Sequence, residues 1–343
     1  MRLKSLLSGN VFLILPFLLN AWQTPKEKKE ALYQARDLCY LQDYPAAFTQ
    51  VKKICENDSS DPAGHFWYAC LLQMLIYDSG NTGLIDSFYR TSDRVIKLCQ
   101  ERLKQNPNDA EVHLYWGLAQ LNRANLQSWQ GKKFAAFMTL FKVSPHLHRA
   151  LRLDPELSDA IFGLAVIEYF KATADRYCFG LGLIGSRERA YQMMQEARNR
   201  DGMLQPMAEF MLGFMFKEDR LFASGMRCCE RLLARYPNNR SASRLLRDIY
   251  LDMGKNEQAI VLGKELENDI RVTFPKNRYG IAENWLKMSY AWAGLGRGDS
   301  VRVITQRIIN WADKADSVPW LPNYVRDAKR LKAEVAGGKQ KAR

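Results

Sequence analysis

Histidine is scarce, four in 343 residues, and no His-Glu-x-x-His or comparable spacing is present, which leaves little material for a zinc enzyme. The seven cysteines are too few for a small disulfide-stapled scaffold, and none forms a Cys-x-x-Cys pair that would indicate metal or redox chemistry. Gly-x-Ser-x-Gly and the Walker sequence are also missing, and no two carboxylates are paired convincingly for acid–base work. No apolar run reaches the about 20 residues that a membrane helix needs. Strand-like alternation of apolar and polar residues is lacking too. Acids are fewer than bases, 37 against 50, for a formal charge of +13. The composition, 47% hydrophobic and 25% charged, excludes disordered, collagen-like and mucin-like chains, and the length allows one large or two modest domains.

The chain opens Met1-Arg2-Leu3-Lys4, continues into an apolar stretch over 11–19 and reaches a small residue at Ala21, the layout of a secretory signal cleaved after Ala21. Leu19 occupies the place where a second small residue is usual, so retention as an uncleaved anchor is the alternative. No cysteine follows the apolar stretch as a lipid attachment point. These features predict an exported, periplasmic or envelope-associated protein. The cations are spread along the chain, with only small clusters such as those at 26–29 and 339–343, so a nucleic-acid partner is not expected. Peripheral attraction to an anionic membrane or wall surface is the better use of the charge. An odd number of cysteines leaves at least one thiol unpaired; Cys39, Cys55, Cys70, Cys99, Cys178, Cys228 and Cys229 mostly sit among apolar residues at helical spacing and read as core.

Apolar residues recur at three and four along nearly the whole chain, as at Leu114, Leu118 and Leu121, and predict an all-α protein. A repeat is visible in the C-terminal half. Leu212-Gly213-x-x-Phe216, Gly225-x-x-x-Cys229 and Pro237 are followed by Leu246-Arg247-x-x-Tyr250 and Ala259-x-x-x-Gly263, with equivalent positions 34 residues apart. A third copy reads Trp285-x-x-Met288-Ser289-x-x-Trp292, then Val301-x-x-x-Thr305. This pattern resembles the tetratricopeptide repeat, in which a small residue of one helix lets a second helix cross closely. Working backwards from Gly213, small residues fall at Ala165, Gly117 and Ala69, 48 residues apart. Each of those three units carries about 14 residues more than the ordinary repeat, over 77–94, 126–142 and 173–189. With a short first unit around Ala35 and Ala47, the chain reads as an α-solenoid of about seven helical hairpins. The expected organisation is a signal at 1–21, the solenoid at 22–315, and a capping helix with a basic tail at 316–343. Three positions depart from the pattern: His113 and Glu168 replace large apolar residues, and Arg247 replaces the small one. In layout the chain is also similar to long-hairpin variants of the repeat in exported bacterial proteins, including the helical subunit of some periplasmic solute transporters.

Gly180-Leu181-Gly182-Leu183-Ile184-Gly185 matches a dinucleotide-loop pattern, but it follows a helical run instead of a buried strand and reads as a loop, with Ser186 capping the next helix. His146 and His148, two apart on a helix, point to different faces and cannot share a metal, while His65 and His113 are expected to be satisfied or solvent-facing. Neither catalysis nor a cofactor or metal is predicted. The resemblance implies instead that the first helix of each hairpin lines a concave binding face. Carried over, the lining is Leu114, Tyr115 and Leu118; Phe162, Val166 and Tyr169; and Met207, Phe210, Met211 and Phe214. All are apolar. The charged clamp that some members of the family use for a carboxylate is not evident. One expectation is that the inserted segments fold back over these side chains and make them core. The other is an open apolar groove for an amphipathic partner or a lipid-like ligand. The function expected is a protein-binding scaffold of the periplasm or envelope, the alternative being a transporter-associated solute- or lipid-binding protein.

Overall fold

In a computed structural model, residues 25–174, 185–311 and 320–337 are described. The signal reading over 1–21, the glycine-rich sequence at 180–184 and the basic tail at 339–343 lie outside them. The described residues form fifteen α-helices and one short 3-10 turn, with no strand among them. The helices are α1 (Pro25–Leu41), α2 (Tyr44–Asn57), α3 (Pro62–Ser79), α4 (Ile85–Gln105), α5 (Ala110–Trp129), α6 (Lys133–Leu153), α7 (Ser158–Ala174), α8 (Arg187–Asn199), α9 (Gln205–Glu218), α10 (Phe222–Arg235), α11 (Arg240–Asp252), α12 (Asn256–Thr273), α13 (Arg278–Gly294), α14 (Gly298–Ile309) and α15 (Leu321–Ala336). Successive pairs from α1 and α2 to α13 and α14 make seven hairpins stacked as a tetratricopeptide-type α-solenoid. Helix α15 packs on the last hairpin through Leu321, Val325 and Ala328 against Ile281, Ile304 and Ile308.

Most first helices of the hairpins start at a side-chain cap. Asp61, Asp109, Asn239 and Asn277 accept from backbone N–H groups of α3, α5, α11 and α13, satisfying donors that the helix start leaves unpaired. Small residues set the close crossings. Leu147 of α6, fully buried, rests against Gly117 of α5 and Gly163 of α7, so one leucine fills the space that two absent side chains leave. The main core runs through the first five hairpins, from Ala31 to Cys228, and a second cluster holds the last hairpin and α15 together.

The additional residues of the second and third hairpins lengthen both helices of each hairpin and do not fold back as lids. Helices α5 and α6 have 20 and 21 residues, where α9 and α10 have 14 each. The increment is about two turns, about 10 Å, on each helix. These extensions build a small core of their own from Leu72, Ile76, Phe88 and Leu126, flanked by Tyr77, Tyr89 and Trp129. In the fourth hairpin α7 is lengthened and α8 begins at Arg187, with 175–184 between them outside the described residues.

Candidate functional site

The first helices of the hairpins line the inside of the superhelix, and the superhelix closes on itself. Ends of the early first helices meet starts of later ones. Asn239, while capping α11, donates through Nδ2 to the Tyr40 carbonyl at the end of α1, 2.9 Å. Asn277 repeats the arrangement one hairpin on, capping α13 and donating to the Asp78 carbonyl near the end of α3, 2.7 Å. At the end of α5, Trp129 donates through its indole N–H to the Tyr279 hydroxyl of α13 and receives a bond at its carbonyl from the Trp320 indole, next to the start of α15. Each contact sets the negative end of one helix dipole against the positive start of another. Gly80 makes the second junction fit. It holds φ +67 at the end of α3, and a Cβ there would stand 2.9 Å from Cβ of Tyr279 and 3.0 Å from Oδ1 of Asn277.

A buried ion network reinforces that junction. Asp78, 2% exposed, binds Arg240 of α11 at 2.6 Å and Arg244 at 3.2 Å, and it also accepts from the Tyr44 hydroxyl. Arg240 in turn reaches Asp269 of α12 at 2.6 Å. Burial by itself would lower the Arg240 pKa, but its bonds and charge interactions with Asp78 and Asp269 hold it above the usual arginine range. Beside this network, Arg247 is 1% exposed and is satisfied by Glu283, Asp248 and Asn284. The arginine that departs from the repeat pattern thus ties α11 to α13.

The expected lining differs in burial from one helix to the next. Leu114, Tyr115, Leu118, Phe162, Val166 and Tyr169 are buried within the main core. What covers this side of the solenoid is the chain's own architecture, with neighbouring first helices and early hairpins packed inward, so these six do not line an open groove. Phe66 of α3 meets the Tyr115 ring at 5.4 Å. The other four, all on α9, are partly buried. Met207 and Phe210 pack with Met74 of α3 against a cluster containing Tyr40 and Tyr236. Met211 and Phe214 pack on the main core, where Phe214 meets Tyr169 at 6.5 Å. All ten were expected on inward-facing helices from the resemblance to the tetratricopeptide repeat alone. It carried no sign that residues 199 positions apart would meet.

The other singled-out groups are tied into the framework. His113 Nε2 lies 3.0 Å from the Pro107 carbonyl and its Nδ1 lies 3.0 Å from Nδ1 of His146, whose ring stacks on Trp116. His65 makes the corresponding contact to the Ser59 carbonyl one repeat earlier. The approach of His113 to His146, on facing helices of one hairpin, went unread in the sequence because they are 33 residues apart. Glu168 accepts from the Ser186 amide, and Ser186 caps α8. Cys39, Cys99, Cys228 and Cys229 are buried, and Cys55 and Cys70 are intermediate. Burial pushes the thiols of Cys70, Cys99, Cys228 and Cys229 up to about 12, far from the reactive thiolate range. Among the described residues no group of three or more His, Cys, Asp or Glu is placed to hold a metal.

No family model matches the chain, and no curated protein does. Among solved structures it is similar to the hetero-tetramer Cut9-Hcn1 of the APC/C, at 11% identity over 92% of this chain and a TM-score of 0.56. The chain spans little more than half of that protein, 56% of its length. The fold is that of a tetratricopeptide-type solenoid. Weaker likenesses are to PilW, a type IV pilus biogenesis factor, with 13% identity over 73% of this chain and 96% of that one and a TM-score of 0.48. A tetratricopeptide repeat protein from Parabacteroides merdae ATCC 43184 gives 12% identity over 90% of this chain and 99% of that one, with a TM-score of 0.41. No helix among the described residues is long and apolar enough to cross a membrane.

Proposed function

We propose that this protein is a non-catalytic scaffold of the periplasm or envelope, exported by its N-terminal sequence, that binds another protein through the α9 segment of its inner face. The observation that carries the reading is the strip formed by Met207, Phe210, Met211 and Phe214, which is only partly buried where the equivalent residues of α5 and α7 are fully covered. Buried Tyr169 lies against its Phe214, and the ion-paired framework around Asp78 and Arg247 keeps the neighbouring helices in place. Unbranched methionines beside aromatic rings suit an apolar side chain from a partner helix, because they repack at little cost. A solenoid presents such surfaces without chemistry, and its specificity lies in individual side chains.

The test is crosslinking in the native cell from photoreactive residues placed at 211 and 214, together with the double variant Met211→Glu, Phe214→Glu. A discrete protein adduct, absent in the double variant while helicity and the melting transition are retained, is the expected result. Retained lipid or solute in organic extracts, with no protein adduct, replaces the scaffold by the ligand-binding alternative. Cooperative loss of helicity in the double variant removes the strip from consideration, because those side chains would then be core.

A further inference from the structure

The tip of the α5–α6 hairpin joins exposed apolar side chains to exposed lysines. From residue 112 to residue 153 the sequence contains no Asp or Glu, while it contains Arg123, Lys132, Lys133, Lys142, Arg149 and Arg152. At the tip, every residue from Gly131 to Ala135 is exposed, and a Cβ at Gly131 would meet nothing within 4 Å. Phe134 is 77% exposed, the highest value among the described large apolar residues, and Met138 is 47% exposed. They are four residues apart on α6 and therefore share a face, which Lys142 extends one turn further. Lys132 and Lys133 flank the same face at the end of the hairpin, and both are exposed, as is Lys142.

This protrusion is fixed in place. The end of α5 is held by Trp129, which packs against Tyr77 at 5.5 Å and Tyr279 at 5.7 Å and bonds to both Tyr279 and Trp320. Thr139 of α6 bonds across the hairpin to Gln127 of α5 at 2.8 Å. An exposed phenylalanine on a rigid, convex tip is a poor receptor for a peptide, which needs walls around its side chains. It is a good wedge for an interface that yields, and unpaired lysines around it call for negative charge in that interface.

We infer that the α5–α6 tip is a docking surface for an anionic lipid membrane. Phe134 and Met138 enter the boundary between headgroups and acyl chains. Lys132, Lys133 and Lys142 reach the lipid phosphates, their aliphatic stems lying along the apolar part and their ammonium groups staying at headgroup level. The inference uses none of the α9 strip and stands apart from the partner-binding reading.

Co-sedimentation of the full chain with vesicles tests it, using vesicles of phosphatidylcholine alone and of phosphatidylcholine with one third phosphatidylglycerol. An apolar leader in the full chain would attach to both vesicle types and contribute equally to every variant, so comparing variants reads the tip alone. The expected result is binding favoured by phosphatidylglycerol and weakened when salt is raised from 0.1 to 0.5 M. The triple variant Lys132→Gln, Lys133→Gln, Lys142→Gln should lose about tenfold or more in affinity for the anionic vesicles. Phe134→Ser with Met138→Ser should lose about fivefold or more on both vesicle types. Because all five positions are exposed, circular dichroism melts should match the unaltered protein. Equal binding by the unaltered protein and both variants overturns the inference, as does an absence of preference for phosphatidylglycerol. A dimer in sedimentation velocity that dissociates in the Phe134→Ser, Met138→Ser variant also overturns it, by assigning the patch to a second copy of the chain.

Discussion

The pairing of His113 with His146 shows how a side chain of ordinary chemistry becomes a pH-dependent stability element. His113 donates from Nε2 to the Pro107 carbonyl, and its Nδ1 shares a hydrogen with Nδ1 of His146 at 3.0 Å. Burial, and after it the neighbouring His113, lowers the His146 pKa from 6.5 to about 4. The folded protein therefore takes up this proton at lower pH than the unfolded chain. The stabilisation is complete above pH 6.5 and is lost as the pH falls towards 4. Asp159, whose carboxyl burial pushes up to about 6, acts in the opposite sense over part of the same window. It is common to the unaltered protein and a His146 variant, so their difference isolates the histidine. Urea midpoints measured against pH should fall more steeply from 6.5 to 4 in the unaltered protein than in His146→Phe. Parallel curves would assign the proton uptake elsewhere.

At the scale of helices, the repeat works through glycine and leucine at crossings. A Cβ at Gly163 would lie 2.5 Å from Cδ1 of Leu147, and one at Gly117 2.6 Å from its Cδ2. Alanine is the better helix former by about 1 kcal/mol, yet overpacking a filled core costs about 1–3 kcal/mol, so Gly163→Ala should be net destabilising. Leu147→Ala leaves a cavity between three helices and should cost about 2–5 kcal/mol. The double variant should cost less than the sum of the two, since each change relieves the other. Chemical denaturation of the four proteins measures this coupling, and simple additivity would mean that the helices shift apart to accommodate Gly163→Ala. The 48-residue spacing of Ala69, Gly117 and Ala165 made the longer hairpins legible in the sequence, because a helix-crossing residue is fixed by local geometry. Whether the added residues continue the helices or fold over the inner face depends on what they meet. Tyr77 meets Trp129, Trp129 meets Tyr279, and Tyr89 packs on the same cluster and donates to Gln130.

At the scale of the whole molecule, closure rests on the contacts of α1, α3 and α5 with α11, α13 and α15. Replacing Asp78 by Asn would leave Arg240 and Arg244 without the buried charge that balances them, a loss of about 3 kcal/mol or more by the measure of broken buried ion pairs. Small-angle X-ray scattering of Asp78→Asn with Asn277→Ala should show a larger radius of gyration than the unaltered protein, with helicity by circular dichroism unchanged. An unchanged radius would place the strength of closure in the aromatic contact of Trp129 with Tyr279 and Trp320 instead.

The sequence by itself determined the helices and the hairpin count, because these follow from side-chain spacing within about 50 residues and from caps and small residues that act locally, whereas the inward face of each hairpin came only from the resemblance to the tetratricopeptide repeat. That resemblance named Leu114, Tyr115, Phe162 and the α9 strip together, without separating the covered from the half-covered. Only the tertiary structure decided that separation. Tyr40 with Asn239 and Asp78 with Asn277 are 199 positions apart, and nothing in a run of residues states how tightly a stack of hairpins curls. The curl is the sum of many small rotations between neighbouring hairpins, and the long early helices carry it to the point where the two halves of the molecule touch.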